Sequence, residues 1–285
     1  MRTLSCIIAL LLCLASCCKP HTESYQAFYS YRTPFPQEER FVETPYYVIF
    51  LVNARHLDYS SLPSFMKTCA KHPSDCSKNG DVGHAWIYLS GPEGVIEGGQ
   101  SGETGLYQPR YFEGVLENSE LGAENPVSYL WAPQSDGFFQ CGSGGHRPTF
   151  AAKVDLSCDQ YEKLKAFIYS YDFADYSLSS HQCTTFLKQA AALIDLHLDD
   201  QVLLEFPSTT TICGESCPLW RDPKYQCLPC GSPDKLEESL MSLVRSGSAC
   251  NATCWYIKSH CKQRQESYMQ TSSQFPSRLC RWWQL

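Results

Sequence analysis

Apolar residues in this chain come in short bursts, and their spacing predicts the elements. Tyr46 to Val52 is a β-branched and aromatic run that reads as a strand, and Leu62 to Ala70 reads as a short helix. Gly83 to Leu89 and Val95 to Gly99 are two apolar runs divided by Ser90-Gly91-Pro92-Glu93-Gly94, a cluster of turn formers, so a hairpin is expected. From Gln100 to Phe150 Gly, Pro and Tyr recur without a period, which predicts long loops, with Val127 to Trp131 the best strand candidate. Ala151 to Leu156 reads as a strand. Ser157-x-x-Gln160 has capping-box spacing ahead of a helix over Tyr161 to Tyr169. Near Cys183 a second helix begins, because Phe186, Leu187, Ala190, Leu193 and Ile194 recur at helical spacing. Past Phe206 five prolines break the pattern, and Leu236 to Val244 is the one clear helix. No internal repeat is visible.

Composition narrows the class. The 285 residues are 43% hydrophobic, enough to bury a core. Charged residues are 19% and sum to −7 with no basic cluster, which argues against nucleic acid as a partner. The outlying figure is 17 cysteines, more than a reducing compartment favours.

The N-terminus accounts for some of them. Arg2 precedes an apolar run from Leu4 to Leu14, too short to span a bilayer, so residues 1–16 read as an export signal. The run ends in Leu14-Ala15-Ser16-Cys17, which resembles the lipobox of bacterial lipoproteins. That resemblance implies a lipid on Cys17, a membrane-anchored tether over residues 17–40, and a place in the bacterial envelope. Ordinary secretory cleavage near Ala15 is the alternative. Export makes disulfides the expected partner of most remaining cysteines, and eight lie between Cys213 and Cys280. Residues 206–285 are therefore expected to form a separate, disulfide-stapled module. Zinc is the lesser alternative, since Cys213-x3-Cys217 and Cys227-x2-Cys230 have a spacing it could use.

One cysteine stands in a different setting. Cys183 falls on the buried face of its helix at the first turn, where the positive end of the dipole favours thiolate. His84 is the best proton acceptor, on the first hairpin strand and sharing a face with Trp86 and Tyr88. His181 is expected to cap the helix or line the cleft.

Gly83-His84-Ala85-Trp86-Ile87-Tyr88-Leu89, Val95-Ile96-Glu97-Gly98, Tyr176-Ser177-Leu178 and Gln182-Cys183-Thr184-Thr185-Phe186 together resemble the permuted papain-like cysteine hydrolases of the NlpC and lecithin-retinol-acyltransferase type. The resemblance covers residues 41–205. It implies an α+β fold in which an antiparallel sheet packs on a Cys-bearing helix. It also implies Cys183 as nucleophile, His84 as general base and then acid, and Glu97 as the group that orients the imidazole. Register decides the last point: Trp86 opposite Glu97 puts Glu97 on the face of His84, whereas a one-residue slip puts Gln100 opposite His84 instead. The chemistry expected is acyl transfer through a thiolate, without metal or cofactor. The substrate expected is a peptide or acyl amide, with cell-wall peptides the class that the inferred anchor places beside the site. Lipid acyl hydrolysis or transfer with the same pair, or a silent disulfide-rich surface protein, are the competing readings.

Overall fold

Tyr47–Asn53 (β1) is buried on both sides and lies at the centre of a six-stranded sheet, as an unbroken apolar run requires. The computed structural model describes residues 41–61, 64, 65, 68, 82–102, 137–177, 179–205, 207–212, 215–218 and 226–260. The expected signal, Cys17, the tether and the Val127–Trp131 strand lie outside these residues. β1 pairs antiparallel with His84–Gly91 (β2) on one side and Phe150–Asp155 (β5) on the other. Gly94–Gly102 (β3) pairs with β2, Gly137–Cys141 (β4) with β3, and Cys250–Asn251 (β10) with β5, so every pairing in the sheet is antiparallel.

The predicted hairpin forms with Gly91 paired to Gly94 across Pro92-Glu93. A Cβ on Gly91 would come within 2.4 Å of the Tyr161 ring, so glycine lets the following helix dock directly on the hairpin. That helix, Cys158–Ser170 (α1), carries both bonds of its capping box between Ser157 and Gln160 and buries Tyr161, Leu164 and Ile168. Cys183–Ala192 (α2) buries Cys183, Phe186, Leu187 and Ala190 on one stripe. Two small hairpin-like pairs lie outside the main sheet: Gln201–Glu205 (β6) with Cys227–Gly231 (β9), and Thr209–Ile212 (β7) with Glu215–Pro218 (β8).

Pro233–Arg245 (α3) starts at Ser232, whose hydroxyl accepts from the Asp234 and Lys235 N–H groups, with Pro233 in the first turn. Leu236, Leu240, Met241 and Val244 of α3 share one core with Val48, Phe50, Ala85, Ile87, Phe186 and Leu187. Each such side chain contributes about 1.5–3 kcal/mol of transfer free energy. The other face of the sheet is covered by residues 253–260 (α4), with Ala252 and Tyr256 packed on Tyr47, Ile49, Leu51 and Trp86.

The expectation of a self-contained module after residue 206 is thus corrected for residues 233–260, which complete both faces of the main sheet and add a strand to it. The stapling expectation changes as well, because no disulfide joins two of the described cysteines. Cys227 and Cys230 sit three apart on β9. Strand geometry separates them by about 10 Å on opposite faces, too far for a mutual bridge or a shared metal.

Candidate functional site

The chain reaches α2 through a tight reversal in which Ser177 and His181 exchange backbone hydrogen bonds of 2.8 and 3.2 Å. Gln182 then takes an extended conformation (φ −150°, ψ −170°) and caps the helix with its side chain. Its Oε1 accepts from the Cys183 S–H at 3.0 Å, and its Nε2 donates to the Gly231 carbonyl at 2.8 Å. Sequence reasoning did not assign Gln182 this double contact. Thr184 donates to the fully buried Asp200 carboxylate at 2.5 Å, and Lys188 on the next turn reaches the same carboxylate at 2.7 Å. Cys183 is therefore placed on a turn fixed at three points, with 6% of its surface exposed.

His84 opens β2. Its ring stacks with Trp86 at 5.7 Å and meets His146, from the turn after β4, at 5.0 Å. Trp86 belongs to the α4 face of the sheet, whereas Ala85, Ile87 and Leu89 belong to the core shared with Cys183. Alternation along β2 thus gives His84 and Cys183 opposite faces. Both nevertheless stand at the same end of the sheet. Gly231 packs so tightly on Thr184 and Gln182 that a Cβ there would come within 2.3 Å of Thr184 Oγ1. Two residues on, the Pro233 ring lies 3.1 Å from where a Cβ on Gly83 would be. The stretch 231–233, about 7 Å of chain, therefore bridges the start of α2 to the start of β2.

Glu97 is not brought to His84. It pairs with Tyr88, four residues farther along β2, which is about 13 Å of strand. The register meets neither expected alternative, being shifted from both. Glu97 does share the His84 face, but its carboxylate accepts from the Tyr256 hydroxyl and meets His260 Nε2 at 3.1 Å. It ties α4 to the sheet. Burial first, and the Glu97 carboxylate next, push the Tyr256 phenol up, so it remains a donor.

Gln100 lies on the face of Cys183, fully buried and bonded to the loop that leads into α2. There Tyr171 and His181 stack at 5.3 Å. Tyr171, just past the end of α1, went unnoticed in the sequence because an isolated aromatic after a helix looks like core. On β9, burial pushes the Cys230 thiol up to about 11, with Asp200 adding to the shift.

The chain is a mixed α/β protein built on an antiparallel sheet, with a cysteine at the N-terminus of a helix packed on that sheet. No protein family, curated protein or solved structure matches it.

Proposed function

We propose that this protein is an exported, cysteine-dependent amidase or peptidase of the permuted papain-like kind, anchored in a bacterial envelope through Cys17 and acting on cell-wall peptides. The observation that carries the reading is the setting of Cys183: a thiol on the first residue of a helix, held by its own N-cap and packed against an antiparallel sheet, with His84 at the same sheet end. A helix N-terminus stabilises a thiolate and offers N–H groups to an oxyanion.

In this mechanism His84 takes the S–H proton as the Cys183 sulfur attacks the amide carbon, and the first-turn N–H groups receive the developing negative charge. Collapse of the tetrahedral species breaks the C–N bond as His84 protonates the departing amine. His84 then draws a proton from water, the hydroxide attacks the thioester, and the acid leaves with Cys183 regenerated.

Three measurements test this. Thiol labelling of the non-reduced protein, mapped by mass spectrometry, should find Cys183 the fastest-reacting cysteine; Cys183 in a disulfide ends the reading. Release of new amines from peptidoglycan fragments should be lost in Cys183→Ala and His84→Ala, whereas release of fatty acid from lipid esters without amine release redirects the substrate to lipid. Palmitate incorporation that persists in Cys17→Ser would remove the anchor.

A further inference from the structure

A second imidazole lies on the Cys183 side of the sheet. Gln100 Nε2 donates to the carbonyl oxygens of Asp175 at 2.9 Å and Phe173 at 3.3 Å. The same Nε2 lies 3.2 Å from His181 Nδ1, and Oε1, which can only accept, stands 3.0 Å from the Tyr171 hydroxyl. His181 holds its Nδ1 on the Asp175 carbonyl as well. A carbonyl only accepts, so Nδ1 carries the proton and Nε2 is the ring's accepting nitrogen. That Nε2 is 3.2 Å from the same Tyr171 hydroxyl.

One hydroxyl with one proton therefore faces two acceptors, Gln100 Oε1 and His181 Nε2. It can serve only one of them. The shortage ends when a proton reaches Nε2: the ring then donates to the Tyr171 oxygen, and the Tyr171 O–H donates to Gln100. A thiol that can supply this proton follows two residues on: Gln182 is extended, which puts the side chains of His181 and Cys183 on the same side of the chain. Tyr171 stacks on His181, which precedes the N-cap of α2, and sets its ring edge-on to Phe186, which follows Cys183 by three residues, at 5.1 Å. Burial, and after it the charges of Asp175, Cys183 and Asp172, hold the Tyr171 phenol well above its ordinary value, so it stays protonated.

We infer that His181 is the imidazole that relieves Cys183 of its proton, with Tyr171 and Gln100 as the positioning residues that keep Nε2 ready to receive it. The inference rests on Cys183 being the nucleophile. In the step the S–H bond breaks, an N–H bond forms at Nε2, and a thiolate and an imidazolium result; nothing else is consumed. The charged and titratable groups around the pair are Asp172 and Asp175 on the connecting loop and Tyr171 at the end of α1. From β3 comes only the neutral Gln100. The helix N-terminus favours the thiolate. His181 takes over acylation in this way, passing the proton on to the leaving amine, and His84 keeps deacylation, drawing a proton from water and returning it to the Cys183 sulfur as the acid leaves.

The test follows alkylation of Cys183 by iodoacetamide in the full chain from about pH 5 to about pH 10, reading the adduct on that residue. Wild-type Cys183 should react with a midpoint well below the ordinary thiol value of about 8.5. His181→Gln should return the midpoint to that value and slow the reaction near pH 6.5 by about tenfold or more. Tyr171→Phe, which keeps the ring and its packing, should slow it by about threefold. A His181→Gln curve that superimposes on wild type, while Cys183 still reacts at low pH, overturns the inference and leaves the nucleophile standing. So does a low-pH limb lost in His84→Gln and kept in His181→Gln, which gives the role to His84. An ordinary midpoint for wild-type Cys183 ends both readings.

Discussion

The face of the sheet that carries α1, α2 and α3 is filled by volume: Val48, Phe50, Ile87, Leu164, Leu187, Leu236 and Leu240 interlock with few polar atoms among them. The face under α4 is built from rings with polar handles. Trp86 Nε1 donates to the Tyr256 oxygen at 3.3 Å, Tyr256 donates to Glu97, His260 meets Glu97, and Phe41 stacks on Trp255 at 3.8 Å. A core held by shape yields only when atoms are removed from it, whereas one held by directed bonds can be loosened one bond at a time. Cys183 sits in the first kind of core, where a side chain has little room to wander.

The sharpest break of this comparison is catalytic. Cys183→Ala should lower amide hydrolysis by at least about a thousandfold, while shifting the unfolding midpoint little, because one sulfur leaves a small void. Next is Leu240→Ala on α3, which should cost about 2–5 kcal/mol in denaturant unfolding; a loss under about 1 kcal/mol would mean that α3 is not part of the core. On the other face, Glu97→Ala strips the acceptor from Tyr256 and His260. It should cost about 1–3 kcal/mol and leave hydrolysis within about twofold; a loss like that of Cys183→Ala would restore Glu97 to the catalytic group.

Asp234 supplies a pH test at the α3 end. Burial raises its carboxyl above the ordinary 3.8, against the lowering pull of the His56 and Leu57 N–H groups. The folded state therefore holds this proton where the unfolded chain has lost it, and the contribution to stability is present at low pH and disappears as pH rises through the folded value. Wild type minus Asp234→Asn, compared by thermal midpoint, should show that fall on going up from about pH 4. The smallest effect concerns Cys230: with its thiol pushed up to about 11, it should be slower to alkylate at neutral pH than the exposed Cys227.

Much of the fold was legible because its signals are local. The β1 run, the β2–β3 hairpin, the Ser157 capping box and the apolar stripe of α2 each declare themselves within about a dozen residues, and each forms within about three residues of its expected bounds. What escaped was long-range. Nothing near Leu236 says that its partners are Phe50 and Ile87, so proline and cysteine density after residue 206 looked like a boundary. The hairpin register escaped for a related reason: Gly98 and Gly99 carry no side chain to announce which face they occupy. In the site, Cys183 was legible from helix periodicity. Gln100 was named only as the alternative to Glu97 beside His84, and Tyr171 not at all, because their meaning comes from one hydroxyl and one amide meeting across elements about 70 residues apart.

The 231–233 bridge also sets an order in time. A chain made from its N-terminus gains β1, the hairpin and α2 first, and a nascent polypeptide that ends before Gly231 has the thiol and both imidazoles but lacks the piece that seats Gln182 against its carbonyl. The amide that holds the thiol acquires its own anchor only after four-fifths of the protein has been synthesised. A truncated product would thus carry all the reactive groups on a loosely tethered turn, and full reactivity would be acquired late, as a property of the finished molecule.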